Sequence, residues 1–189
     1  MFRLSTIILL VVFISTSSKS DSVYDLDLEG IKLGESVFKY ISEKQIIDDQ
    51  KKIISKYKSD RYKRVRYLKE YGYSGNLYDQ VGFHYDKNGK IGAIHGTIDM
   101  TGKTIDQCIG RSLSIIDDIK QKINFPIKGS PTKILNVSGG QQTISKFQLD
   151  NGSIDVRCSF PKEKKWTTSL KINLFSRDFQ NWLTYEAHK

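Results

Sequence analysis

The sequence contains few of the residues on which common enzyme chemistry depends. It has three histidines and two cysteines in 189 residues, and the cysteines lie far apart rather than in a C-x-x-C pair. The absence of that pair excludes a thiol-exchange centre of the thioredoxin type. No G-x-S-x-G is present, and the glycines match neither G-x-G-x-x-G nor G-x-x-x-x-G-K-[ST]. The sequence therefore lacks a nucleophile elbow and the two common phosphate loops.

A long apolar segment is also absent after the first twenty residues. The opening MFRLSTIILLVVFISTSSKSD has Arg3, an apolar run over residues 7–14, and then small residues. This layout predicts a secretory signal peptide over residues 1–20, cleaved near Ser20. The apolar run is shorter than the about 20 residues that a membrane span needs. We expect an exported protein, periplasmic or secreted, that does not span a membrane.

The remaining residues, 21–189, are of a length that suits one domain with one core. The net charge is +9 for the whole sequence, and it falls to about +7 when Arg3 and Lys19 are removed with the signal peptide. Export argues against nucleic acid as the partner of this basic protein. Anionic polysaccharide, anionic lipid or an envelope protein is the expected kind of partner.

The strongest strand signal is the alternating segment YDQVGFHYDKNGKIGAIHGTID. A type I′ turn at Asn88-Gly89 would pair Lys87 with Lys90 and form a hairpin. One face of this hairpin is predicted to be the core face, with Val81, Phe83, Tyr85, Ile94 and Ile98. The other face carries His84, Asp86, Ile91, Ala93 and His95.

A second hairpin signal centres on Asn151-Gly152 and predicts that Asp150 pairs with Ser153. Its apolar face contains Phe147, Leu149, Ile154, Val156 and Cys158. Its polar face contains Lys146, Gln148, Asp155 and Arg157. A further alternating strand follows, with Leu170, Ile172 and Leu174 on one side, whereas residues 126–142 are predicted to be a loop.

Capping signals predict a long central helix and a C-terminal helix. Thr104 and Gln107 have capping-box spacing at the start of the central helix, and Pro126 lies beyond its end. Ser176 is a predicted N-cap of the C-terminal helix. The side chains of that helix expected to face the core are Phe179, Trp182 and Leu183.

Shorter helices are predicted near the start. Ser36 would begin one, with Phe38 on its apolar stripe, and residues 45–57 would form another. Hairpins combined with helices indicate an α+β fold. We expect an antiparallel sheet with helices packed on one face, a two-layer sandwich.

The two cysteines are predicted to meet in the core. Cys108 lies on the apolar stripe of the central helix, and Cys158 lies on the apolar face of a strand. In an oxidising exported setting this placement favours a structural disulfide. The alternative is two buried thiols that act as small hydrophobic side chains.

The histidines offer the one candidate for metal or catalytic chemistry. His84 and His95 are diagonal neighbours on one hairpin face, with Asp86 nearby, and this set could begin a zinc site. A third or fourth ligand at a telling spacing is missing, so a polar pair on a solvent-facing sheet is the simpler interpretation. No catalytic residue, metal or cofactor is expected. The adjacent carboxylates Asp48 and Asp49 are interpreted as a solvated helix face.

A basic run with interspersed tyrosines covers residues 51–69, with nine cations and one acid. A strand over residues 61–68 would turn Val65 and Tyr67 inward and leave the arginines in water. One hypothesis is an anion-binding ridge, formed by Lys58, Arg61, Lys63, Arg64 and Arg66. The alternative is a charged edge strand that blocks aggregation.

Three segments, EGIKLGESVFKYISEKQI, IDQCIGRSLSII and KINLFSRDFQNWL, resemble a set of small exported bacterial proteins of unknown function. Those proteins have a G-I-x-L-G-x-S start, one cysteine early in the middle helix, another in a late strand, and an aromatic C-terminal helix. The resemblance implies a shared fold and no active site. The leading hypothesis is a non-enzymatic binding module, and the alternative is a small periplasmic enzyme or metal-binding protein that uses His84 and His95.

Overall fold

A computed structural model describes residues 22–53, 57–123, 133–137, 139–162 and 167–189, so the predicted signal peptide lies outside the described residues. The strands are β1 (Asp27–Leu28), β2 (Ile31–Lys32), β3 (Tyr62–Tyr67), β4 (Gln80–Asp86), β5 (Ile91–Asp99), β6 (Lys133–Val137), β7 (Gly140–Leu149), β8 (Gly152–Pro161) and β9 (Ser169–Ser176). The α-helices are α1 (Glu43–Lys52), α2 (Ile105–Lys122) and α3 (Arg177–Tyr185). Strands β3 to β9 form a seven-stranded antiparallel sheet in the order β3-β4-β5-β9-β8-β7-β6.

The predicted α+β fold, with helices packed against an antiparallel sheet, is confirmed. Helix α2 covers one face of β8 and β9, and its N-terminus has the predicted capping box between Thr104 and Gln107. The predicted disulfide joins Cys108 of α2 to Cys158 of β8, with the Cα atoms 6.2 Å apart. Both cysteines are fully buried. The covalent bond therefore fixes the helix layer to the sheet inside the core.

Helix α3 packs on the opposite face of the sheet, which adds a cover that the predicted one-sided arrangement did not include. Ser176 caps it, with its Oγ accepting the Phe179 N–H at 3.1 Å. Phe179 and Trp182 are buried there as predicted. They form a second apolar cluster with Tyr62 of β3 and Ala93 of β5. This cluster covers only one end of the face, because α3 is just nine residues long.

The first hairpin forms, but its predicted type I′ turn is wrong. The Asp86 carboxylate accepts the N–H groups of Asn88 and Lys90 at 2.8 and 3.0 Å, so the turn begins one residue earlier and Asp86, not Lys87, pairs with Lys90. Gly89 alone in this turn has a positive φ, of 79°. A bulge between His84 and Tyr85 then restores the predicted pairing of His84 with Ala93. The predicted diagonal placement of the two histidines is therefore confirmed.

The second hairpin is displaced from its predicted register, because Leu149 pairs with Gly152. The Asn151 side chain holds the N-terminal segment against this hairpin, because its Oδ1 accepts the Val23 N–H at 3.0 Å. Gly152 belongs to the strand, where a Cβ would lie 2.1 Å from the Phe175 carbonyl oxygen. Each partner shifts by two positions, which keeps every side chain on its predicted face.

Three other predictions were wrong in part. Residues 133–137 of the predicted loop form β6, which pairs with β7 at the edge of the sheet. Ser36 does not cap a helix; it forms a bridge with Lys90, and only a 3-10 turn over Val37–Lys39 follows. Phe38 is consequently 50% exposed. The helix predicted over residues 45–57 is α1, which ends at Lys52.

Among the described residues, no helix is both long and apolar enough to cross a membrane.

Candidate anion-binding cleft

The part of the sheet that α3 leaves uncovered carries the polar side chains of five strands. Antiparallel pairing brings them into rows, since directly opposed residues share a face. One row contains Arg66, Gly82, His95, Asn173 and Asp155. The next row contains Gln80, Thr97, Lys171 and Arg157. A cleft of about 300 Å³ lies over these rows, and Leu183 of α3 borders it.

The floor of the cleft is a continuous chain of hydrogen bonds. The Tyr57 hydroxyl lies 3.1 Å from His84 Nε2, and His84 Nδ1 lies 2.7 Å from His95 Nε2. His95 Nδ1 lies 2.7 Å from Asn173 Oδ1. We call these four residues the histidine relay.

The proton positions in the histidine relay follow from its far end. A carboxamide oxygen can only accept, so His95 Nδ1 carries the proton that goes to Asn173. A neutral His95 then accepts at Nε2 from His84 Nδ1, and His84 accepts at Nε2 from the Tyr57 hydroxyl. Every ring nitrogen is satisfied with both imidazoles neutral.

Burial is the main reason that both imidazoles stay neutral. It lowers the pKa of His84 well below 6.5, and the neighbouring His95 and the charge of Arg64 act in the same direction. Burial also lowers the pKa of His95 to about 4, against the hydrogen bond to Asn173. The positive charges of Arg64, Lys171 and Arg157 lower the pKa of His95 further. Those three charges are therefore close enough to His95 to act on it together.

The cations over the histidine relay lack matching carboxylates. Burial lowers the pKa of Lys171, and the charges of Arg64 and Arg157 lower it further. Lys171 forms no ion pair with any described residue. Arg157 reaches Asp155 only at 3.8 Å, and its Nε is buried without a hydrogen-bond partner. Burial raises the pKa of Asp155, against the charges of Lys146 and Arg157, which lower it. The cleft thus has an excess of positive charge.

Two of the five predicted anion-binding residues face this cleft. Arg64 pairs with His84 across the strands and forms no ion pair with a described residue. Arg66 is neutralised by Asp49, whose Oδ1 accepts from Nε and Nη2 at 3.0 and 2.7 Å. Asp49 is 0% exposed, so its interpretation as a solvated residue was wrong. Its other oxygen accepts the Arg66 backbone N–H, which also protects the edge of β3.

The other three predicted residues lie elsewhere. Arg61 forms ion pairs with Asp178 and Glu186 of the C-terminal segment, at 2.6 and 2.9 Å. Lys63 is on the opposite side of β3, beside Tyr85, and Lys58 is exposed. The five residues therefore do not form one surface.

The histidine relay does not resemble a metal site. No group of three or more His, Cys, Asp or Glu that could hold a metal occurs in the described part of the chain. All four ring nitrogens of His84 and His95 already have partners. A metal ion would have to break two of these hydrogen bonds to bind both rings.

Lys171 and Asn173 were not identified from the sequence as site residues. The two residues alternate with Leu170 and Ile172 along the strand, so the sequence does place them together on its polar face. The sequence did not show that β9 lies at the centre of the sheet, between the strand of His95 and the strand of Arg157.

Comparison with known proteins adds no relative: no family model, no curated protein and no solved structure matches this chain.

Proposed function

We propose that this protein is an exported, non-enzymatic binding module that holds the anionic group of a ligand in the cleft. The observation that carries the proposal is the pairing of Lys171 with Arg157 on adjacent strands. Lys171 and Arg157 are both partly buried, so they repel each other and lose hydration, and among the described residues only Asp155, 3.8 Å from Arg157, comes within ion-pair distance of either. A phosphate or carboxylate placed between them would supply the missing countercharge and accept charge-assisted hydrogen bonds.

The proposed anion-binding site is the cleft on the face of the sheet, and not the ridge of basic residues predicted from the sequence. Arg64 is the residue common to both, whereas Arg61 and Arg66 already have carboxylate partners. A cleft of about 300 Å³ is at the lower end of the range for small-ligand sites. This size favours a small anion, or the terminal group of an envelope component, over an internal stretch of polysaccharide. The signal-peptide layout and the disulfide support action outside the cytoplasm.

The alternative of an enzyme or metal-binding protein acting through His84 and His95 has less support. General base catalysis needs a ring nitrogen that can reach a substrate proton. The histidine relay uses all four nitrogens internally, and it points the basic Nε2 of His84 at Tyr57. The relay is better explained as a neutral floor that holds the strands in register beneath the cations.

Binding of inorganic phosphate, measured by isothermal titration calorimetry at low salt, tests the proposal. Lys171→Gln should weaken phosphate binding about tenfold, because a charge-assisted hydrogen bond contributes roughly 1.5–3 kcal/mol. Lys63→Gln is the matched control: it removes the same charge from a strand of the same sheet, on the side away from the cleft. Equal affinities for the two variants would mean that the cleft is not the site.

Occlusion of the cleft gives a second measurement that does not change charge. Gly82 lies in the floor, and a Cβ there would contact only the Val65 carbonyl oxygen at 3.5 Å. Gly82→Val should therefore fold and fill the space above the floor, which lowers phosphate affinity. Gly82→Ala should fold equally well and retain more of the affinity.

A further inference from the structure

The two ends of the cleft differ in chemistry, and the difference bears on what the ligand is. Lys171 and Phe175 lie on the same strand, β9, four residues apart and on the same face. At about 3.3 Å per residue their Cα atoms are roughly 13 Å apart. Lys171 marks the cationic end with Arg157, and Phe175 marks the other end beneath α3.

The end beneath α3 is apolar and partly open. Phe175 stacks on Phe179, with the ring centroids 5.7 Å apart. Leu183 lies one turn further along α3, and Tyr57 packs edge-on against Trp182 at 4.8 Å. Phe175, Leu183 and Tyr57 line the cleft and are only partly buried. They form a wall whose apolar surface would be removed from water by a ligand.

The two imidazoles in the floor of the cleft offer a ligand no free ring nitrogen. All four of their nitrogens are used within the histidine relay, and the neighbouring Gly82 contributes no side chain. Arg64 pairs with His84 across β3 and β4 and lines the cleft between the two ends. A ligand that spans the cleft would thus place its charge near Lys171 and a less polar body toward α3.

We propose that the ligand is a compact amphiphilic anion: a phosphate or carboxylate carried on an aromatic or short apolar body. This inference rests on the proposed anion-binding function and adds the apolar half of the ligand. The volume of about 300 Å³ accommodates such a molecule but not a long acyl chain. Aromatic side chains on the wall favour a planar ring, which stacks or packs edge-on against them.

Matched pairs of probes test the inference without any mutation. Phenyl phosphate is compared with inorganic phosphate, and benzoate with acetate, by isothermal titration calorimetry on the whole protein. Burial of the ring should make the aromatic member of at least one pair bind about tenfold more tightly. The pair with the larger gain identifies the anionic group as phosphate or carboxylate.

Leu183→Asn removes the apolar contact while keeping a branched side chain of four heavy atoms. It should reduce the ratio of the affinity for phenyl phosphate to the affinity for inorganic phosphate. The control is Leu113→Asn, because Leu113 is 47% exposed on α2, on the other side of the sheet. Near-ultraviolet circular dichroism confirms that both variants are folded.

The outcomes separate this inference from the proposed function. Equal affinities within both pairs would overturn the amphiphilic ligand, although Lys171-dependent phosphate binding would still support an anion site. Benzyl alcohol that binds as tightly as phenyl phosphate would also overturn it, because charge would then not contribute. A protein that binds none of the four anions at low salt would refute both proposals.

Discussion

The two faces of the sheet differ in how completely their side chains are satisfied. On the face under α2, a large apolar cluster is buried, and a disulfide joins Cys108 to Cys158. On the face under α3, the charges of Lys171 and Arg157 act on each other. Among the described residues, the carboxylate within ion-pair distance of this pair is that of Asp155, 3.8 Å from Arg157. The same strands supply both faces, because successive residues of a strand point to opposite sides. Both faces contribute to stability, but the face under α3 also keeps unsatisfied charge that a ligand could use.

Removal of the disulfide on the face under α2 is expected to change the free energy of unfolding the most. Its two cysteines are 50 residues apart, and the chain-entropy model gives about 4 kcal/mol of stabilisation for a loop of that size. Urea unfolding with and without reductant should show a loss of this order. The Cys108→Ala, Cys158→Ala double variant should be equally weakened and no longer respond to reductant. An unchanged unfolding midpoint under reducing conditions would contradict the predicted stabilisation by the disulfide.

A comparable loss is expected from Asp49→Ala. The Asp49 carboxylate is fully buried against a guanidinium that is 29% exposed, so its removal leaves Arg66 and the Arg66 N–H without their acceptor. We expect about 3 kcal/mol of destabilisation in urea unfolding. Asp48→Ala is the matched control on the same helix, where an exposed i,i+3 pair with Lys51 contributes less than about 0.5 kcal/mol. Similar losses in both variants would contradict the buried pair.

The histidine relay predicts a dependence of stability on pH. The pKa of each imidazole is lowered in the folded state, so the unfolded chain binds more protons below pH 6.5. Stability should be complete above about pH 6.5 and fall as the pH decreases toward 4. Each imidazole contributes up to about 1.4 kcal/mol per pH unit.

Denaturant midpoints between pH 4 and 7 measure this slope. His95→Gln should make the slope shallower. A slope that does not respond to His95→Gln would show that the relay is not its source.

The smallest effect is expected from Lys171→Met, and its sign is the informative part. Removal of one of the crowded cations should stabilise the protein by about 1 kcal/mol while weakening phosphate binding. Thermal unfolding and calorimetry measure the two quantities on the same sample. Lys63→Met should change neither by a comparable amount. If Lys171→Met destabilises the protein, the cleft does not contain the unsatisfied charge described here.

Much of the fold was predictable because alternation and capping are local signals. The faces of β4, β7 and β8 were predicted correctly, and so were the caps Thr104 and Ser176. The face of β5 was predicted correctly from Ala93 onward, whereas the bulge turns Ile91 to the core face beside Tyr85. Turn geometry was less predictable. The Asp86 side chain and the Asn151 anchor both moved the turns, and neither contact is visible in a residue pattern.

The candidate site was predictable only in fragments. Arg64, His84, His95 and Arg157 were each placed on polar strand faces, but in three separate segments: the strand of the basic run and the two hairpins. The basic run suggested a ridge, yet two of its arginines pair with carboxylates that are more than ten residues away. Long-range pairing of charges depends on strand order, which a single sequence does not specify.

The sequence by itself determined which residues share a face, where the helices α2 and α3 begin, and that the two cysteines enter the core. These features depend on local rules: side chains repeat their direction every two residues in a strand and every 3.6 residues in a helix, and an N-cap contacts residues of the first helical turn. Only the tertiary structure decided that β9 lies between β5 and β8, which brings Lys171 beside Arg157 and His95 beside Asn173. Strand order follows from the packing of the whole chain, so the cleft exists only once the sheet has formed.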